Sequence, residues 1–183
     1  MTREEIITKL EENHQDFIQF MDSLSPEEFT YAHRGEKWAP GQDLAHINAS
    51  VKPLPTMVFS VPKLMLAYKF GKANRPSKDY DSLVSRYQER VSGPDAVKAR
   101  GQYDPDPVSF EEKESMLRTL DIRIKSLNKK IKKSSEKSLD TYIVPHPALG
   151  KITLRELLYF TIYHVQHHKA NVKRNLAGRA VIK

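Results

Sequence analysis

The chain reads as an all-α protein built on a four-helix bundle, and three observations lead there. Its longest segments repeat apolar residues every three or four positions, the spacing that turns one stripe of a helix toward a core. Glycine is scarce, with 7 in 183 residues, while lysine and leucine are plentiful. The four longest amphipathic segments are divided by a polar, proline-marked stretch, which implies extra short helices and a long loop between the second and third bundle helices. A chain of this length is most simply one domain over residues 1–183, long enough to bury a core.

The first helix is expected from about Thr2 to Leu24, where Ile6, Leu10, Phe17, Met21 and Leu24 trace one side with His14 beside them. Ser25-Pro26-Glu27-Glu28 places an N-cap, a proline at the first helical position and two acids in order, so a short helical turn follows and ends near Tyr31. His14 and His33 have no histidine at ligand spacing and read as structural or exposed. Pro40 suits the first position of a helix carrying Leu44, Ile47, Val51 and Leu54, which Pro53 and Pro55 then end or bend. His46 lies on the flank of that stripe, since it is about 100° from Ile47.

From Met57 to Phe70 the chain resumes as a helix with Met57, Val58, Val61, Met65 and Tyr68 on one side. We read that side as core packing, or as a contact between subunits of a homodimer, rather than as a wall of a site. Gly71 to Lys78 is a polar connection, Asp79 to Val91 a short helix, and Ser92 to Val108 a loop punctuated by Gly93, Pro94, Gly101, Pro105 and Pro107. A loop of that length is functional or mobile. Ser109 and Glu112 open the third bundle helix, whose seam is Phe110, Leu117, Leu120, Ile124, Leu127 and Ile131; the polar stretch Lys132–Lys137 ends it. Tyr142 to Gly150 is an ordered approach to the last helix, with His146 between two prolines reading as a surface histidine.

That last helix spans Thr153 to Gly178, with Thr153 as N-cap, Glu156 completing a capping box and Gly178 as its stop. Leu154, Leu157, Leu158, Thr161, His164, Val165, His168 and Val172 fall within an arc of about 120°, so the two histidines point inward with the leucines. Residues four apart stack on a helix, and their imidazoles can converge on one metal ion. A metal would also answer a cost, because an unpaired buried ring nitrogen is unfavourable by on the order of 1–3 kcal/mol. His167 lies about 60° off the stripe and reads as a boundary or solvent residue.

Composition narrows the chemistry. With no cysteine, disulfides, a thiolate nucleophile and cysteine-ligated zinc are excluded, any metal must use nitrogen and oxygen ligands, and a reducing cytoplasm fits. Thirty Lys+Arg against 23 Asp+Glu give a net charge of +7. The excess gathers at Lys125, Lys129, Lys130, Lys132, Lys133 and Lys137, the solvated side and end of one helix, so nucleic acid is not the expected partner. The N-terminus has acids early and no long apolar run, unlike a signal peptide, and Pro53 to Tyr68 is too short to span a bilayer. No glycine-rich phosphate loop, G-x-S-x-G elbow or H-E-x-x-H motif is present.

Trp38 with His46 in WAPGQDLAH, His164 with His168 in YHVQHH, and the lead-in HPALGKITLRELL together resemble the DinB/YfiT-like superfamily across nearly the whole chain. The resemblance implies a DinB-like bundle in which His46, His164 and His168 hold a divalent metal such as zinc, nickel or iron, with the remaining positions open. It further implies a small-molecule substrate and either a metal-dependent hydrolase or a transferase using a low-molecular-weight thiol such as mycothiol or bacillithiol. The alternative is a non-catalytic bundle whose histidines are structural or bind metal structurally. Pro53 and Pro55, where many relatives carry small and acidic residues, depart from the pattern. Asp43 and Asn171 stand one turn from His46 and His168; of these Asp43 reads as a solvated surface residue.

Overall fold

The computed structural model describes residues 1–32 and 38–180, so His33 lies outside the described residues. Its helices are α1 (Arg3–Asp22), α2 (Pro26–Phe29), α3 (Pro40–Val51), α4 (Lys63–Phe70), α5 (Tyr80–Val91), α6 (Lys113–Lys132), α7 (Glu136–Thr141) and α8 (Leu154–Ala180). α1 packs against both α6 and α8, and α3 against the same two, so α1 and α3 are diagonal partners in an all-α four-helix bundle. α5 packs on α8. No described helix is long and apolar enough to cross a membrane.

Local chemistry starts these helices where the sequence places them. The Glu5 carboxylate accepts from the Thr2 N–H at 2.6 Å while the Thr2 hydroxyl accepts from the Glu5 N–H at 3.2 Å. Ser25 and Glu28 repeat the arrangement at α2, and Asp79 caps α5 by accepting from the Ser82 N–H at 2.8 Å. The inward stripes meet in two clusters, one around Phe17, Phe29, Leu44, Ile47 and Leu120, the other around Ile6, Leu10, Leu127, Ile131 and Leu158. Burying each such side chain contributes about 1.5–3 kcal/mol.

Five local expectations are corrected. After α3 the chain makes a π-helical turn over Leu54–Val58, closed by Phe59 N–H to Leu54 C=O at 2.9 Å, and helix resumes only at Lys63. The prolines at 53 and 55 carry no N–H to continue an α ladder. Met57, Met65 and Tyr68 are 66%, 56% and 94% exposed, so only part of that side, Val58 and Val61, packs against the core. The approach to the last helix is a hairpin, β1 (Ile143–His146) antiparallel to β2 (Gly150–Thr153), with Val144 opposite Ile152 and Gly150 taking the positive φ of 73° that its turn requires. α7 rises from the polar stretch after α6 through an N-cap at Ser135. Gly178 does not stop α8, which runs on to Ala180.

Two side chains at the start of α8 fasten the periphery. Glu156 is fully buried and accepts from Arg75 at 2.6 and 3.0 Å, from Lys78 N–H at 2.8 Å and from Thr153 N–H at 2.9 Å. Arg155 donates to Asp140, to Glu136 and to the Met1 carbonyl.

His14 is 1% exposed on the inner side of α1, its Nδ1–H donating to the Leu10 carbonyl at 2.8 Å. Burial pushes this histidine down to about 4 from 6.5, so between those values the unfolded chain binds a proton that the folded chain refuses. Stability should therefore fall as pH drops through that window, by roughly 3 kcal/mol for this group at about 1.4 kcal/mol per pKa unit. Urea denaturation at a series of pH values should show the loss, and His14→Phe should flatten it.

Candidate functional site

Three histidines from two helices meet inside the bundle. His46 on α3 and His164 and His168 on α8 are 8%, 4% and 6% exposed. His164 Nε2 stands 3.2 Å from His46 Nε2 and 3.1 Å from His168 Nε2. All three offer a nitrogen to one point, the arrangement of a group able to hold a metal ion.

Each outer ring is held from behind. His46 Nδ1 lies 2.6 Å from the Tyr103 carbonyl oxygen, which only accepts, so Nδ1 carries the proton and Nε2 presents a bare lone pair. His168 Nδ1 lies 2.5 Å from Asp43 Oδ1. With Asp43 ionised, Nδ1 donates to it and the His168 Nε2 lone pair is bare as well, the carboxylate–histidine arrangement that orients metal ligands. Burial pushes the Asp43 carboxyl up to about 8, with His46 nearby pulling it back. Burial also pushes His46 down to about 4, His168 to about 3 and His164 well below 6.5, which keeps the rings uncharged at neutral pH.

The donor set fits a divalent ion of the zinc, nickel or iron type. Bonds of about 2.0–2.1 Å set nitrogens about 3.3 Å apart at tetrahedral angles and about 2.9 Å apart at right angles, and the observed separations fall between. Without a cation the lone pairs face one another with too few hydrogens to pair them.

Asp43 corrects the surface reading: it is 2% exposed, inside the bundle. The signal was present, since at about 100° per residue Asp43 lies about 40° from Ile47, within the apolar stripe. Asn171 accepts from Arg174. Asp43→Asn should lower divalent-metal affinity about 10- to 100-fold without unfolding the protein, as competition with a chromogenic chelator would measure.

The histidines close one end of a cavity of about 1300 Å³. Trp38 lies over them, its ring 5.0 Å from that of His46 and 6.1 Å from that of His168, nearly parallel to the latter. The wall beyond is apolar, formed by Val51, Leu54, Met57, Val58, Met65 and Leu66. The segment after α3 thus makes a wall of the site as well as part of the core, to which Leu54, Phe59 and Leu66 belong. The loop from Ser92 to Val108 makes another: Ala96 to Arg100 and Tyr103 border the cavity, and Pro105 C=O accepts from Gln42 Nε2 at 2.8 Å. The Tyr103 contact is made by backbone, which no side-chain pattern reveals.

The other histidines take separate places. His167 is half-buried with its ring 5.8 Å from that of Tyr87 and borders the cavity, as its boundary position implies, but it does not join the three converging nitrogens. His146 is not a surface residue. Its ring packs 4.2 Å from that of Phe160, its Nδ1 accepts from the Ala148 and Leu149 N–H groups at 3.2 Å each, and it borders the cavity. Residues 9–171 match the family model described as the DinB superfamily. No curated protein matches the chain.

Proposed function

The chain belongs to the DinB superfamily, and from that membership together with the site geometry we propose that it is a divalent-metal-dependent enzyme whose metal is held by His46, His164 and His168. The convergence of three buried Nε2 atoms, those of His46 and His168 at 3.2 and 3.1 Å from that of His164, carries this reading. A bound cation would supply Lewis acidity sufficient to ionise a water or a thiol near neutral pH.

The rest of the chemistry falls to the chain. Asp43 and the Tyr103 carbonyl hold two imidazoles by their outer nitrogens and keep the inner lone pairs aimed. Trp38 and the apolar wall limit water around the reacting groups. Among the described residues Asp95 is the one carboxylate bordering the cavity, and it is exposed, so none of the described residues lining the cavity is a buried acid ready to act as a general base for hydrolysis. The cavity exceeds the about 300–1,000 Å³ of ordinary small-molecule pockets. That leaves room for a cosubstrate and an acceptor together and favours thiol transfer over hydrolysis. A chain without cysteine takes that thiol from solution, and a cytoplasmic setting would keep it reduced.

Elemental analysis of protein purified without a nickel column tests the metal, with about one divalent ion per chain expected; its absence would overturn the proposal. Turnover of thiol conjugates with mycothiol or bacillithiol, set beside ester hydrolysis, tests the chemistry. Metal that raises thermal stability with no turnover of either would leave the non-catalytic alternative.

A further inference from the structure

The lining of the large cavity divides by exposure. Val51, Leu54, Leu66, Leu157 and Phe160 are buried and present only hydrocarbon. Met57, Met65, Lys69, Lys98 and Arg100 line the same cavity and are exposed, so it opens to water among them. Three cations therefore stand at the mouth, and among the described residues Asp95 is the one carboxylate there to oppose them. None of the three is in a salt bridge with a described residue; Lys69 instead lies over the Phe70 ring, 5.3 Å from its centroid.

An apolar interior behind a cationic mouth selects a ligand at both ends. The interior favours an aliphatic chain, because each CH₂ taken out of water tightens binding about 3- to 4-fold. The mouth favours an oxyanion, which needs a counter-charge when it is partly desolvated, and disfavours an ammonium, which would meet like charge. A neutral head gains nothing from these cations. We infer that the cavity is a binding site for an anionic amphiphile, its single aliphatic chain along the buried wall and its oxyanion head among Lys69, Lys98 and Arg100 at the mouth. This deepens the proposed enzymatic reading and rests on the cavity of that reading, but its observations are the mouth and the wall and it does not require the cation.

Octanoate, octyl phosphate, octanol and octylammonium share a chain length and differ in the head. Their binding to the full chain can be followed by calorimetry and by the fluorescence of Trp38, the one tryptophan, which borders the cavity. At low ionic strength the two anions should bind about 5- to 10-fold more tightly than octanol, as expected for a few exposed charge pairs, and octylammonium should bind most weakly. The tighter of the two anions identifies the head as carboxylate or phosphate. Decanoate should bind about 10-fold more tightly than octanoate. Lys69→Gln, Lys98→Gln and Arg100→Gln together should remove the anion preference and leave octanol binding unchanged; all three side chains are exposed, so the fold does not depend on them. Equal affinities for octanoate, octyl phosphate and octanol in the wild-type protein would overturn the inference, as would an anion preference that survives the triple variant, an affinity indifferent to chain length, or no binding of any probe. Repeating the comparison after chelator treatment separates this outcome from that of the metal proposal. The anion-to-alcohol ratio is expected to persist in metal-free protein, and a ratio lost with the metal would place the oxyanion on the cation, overturning the inference while leaving the metal proposal standing.

Discussion

Protein carrying His164→Ala and His168→Ala together is expected to contain no stoichiometric divalent metal, whereas the wild-type chain carries about one ion when both are purified without a nickel column. The substitutions remove two of the three converging nitrogens and leave His46 alone, and a single imidazole at an internal site holds such an ion weakly. Both side chains are buried, so circular dichroism should accompany the elemental analysis; an unchanged helical spectrum shows that the loss comes from missing donors and not from unfolding. Metal retained at wild-type stoichiometry by the folded double variant would remove the site from these histidines altogether.

Glu156→Ala should destabilise the fold by roughly 3–5 kcal/mol, read as a shift in the denaturant midpoint. The Arg75–Glu156 pair contributes only part of this, because Arg75 is 36% exposed and its attraction is screened. The larger share comes from the Lys78 and Thr153 N–H groups, which lose a fully buried acceptor. Burial works to raise the Glu156 carboxyl, yet Arg75 and those N–H groups hold it below its ordinary value, a sign that the ionised form is the one the fold is built around. Glu156→Gln keeps an acceptor for the N–H groups and should cost about half as much. Equal losses for the two variants would show that charge, not backbone pairing, dominates at this corner.

Much of this architecture is legible from residue spacing. The stripes of α1, α3, α6 and α8 repeat over several turns, and the starts of α1 and α8 carry side chains that bond the first free N–H groups. The His164/His168 pair is legible for the same reason, since its phase coincides with that of Leu157, Leu158 and Val165. His46 is not, because its phase places it on a flank and only the resemblance promotes it; the structure shows that the flank faces α8. Asp43 is misread as solvated because it is charged, although its position in the α3 stripe favours the interior. The hairpin and the π-helical turn escape periodicity because each is too short to establish a repeat. The exposed face at Met57, Met65 and Tyr68 escapes it because an apolar stripe identifies a side, not what covers that side.

The Tyr103 carbonyl that holds His46 belongs to the same loop that bounds the cavity. Since the anchoring atom is main chain, replacing the tyrosine side chain leaves it in place, but lengthening or shortening the segment between α5 and α6 displaces it. A change in this segment that reshapes the cavity therefore also shifts the atom that orients His46, so the outline of the cavity and the aim of that imidazole vary together.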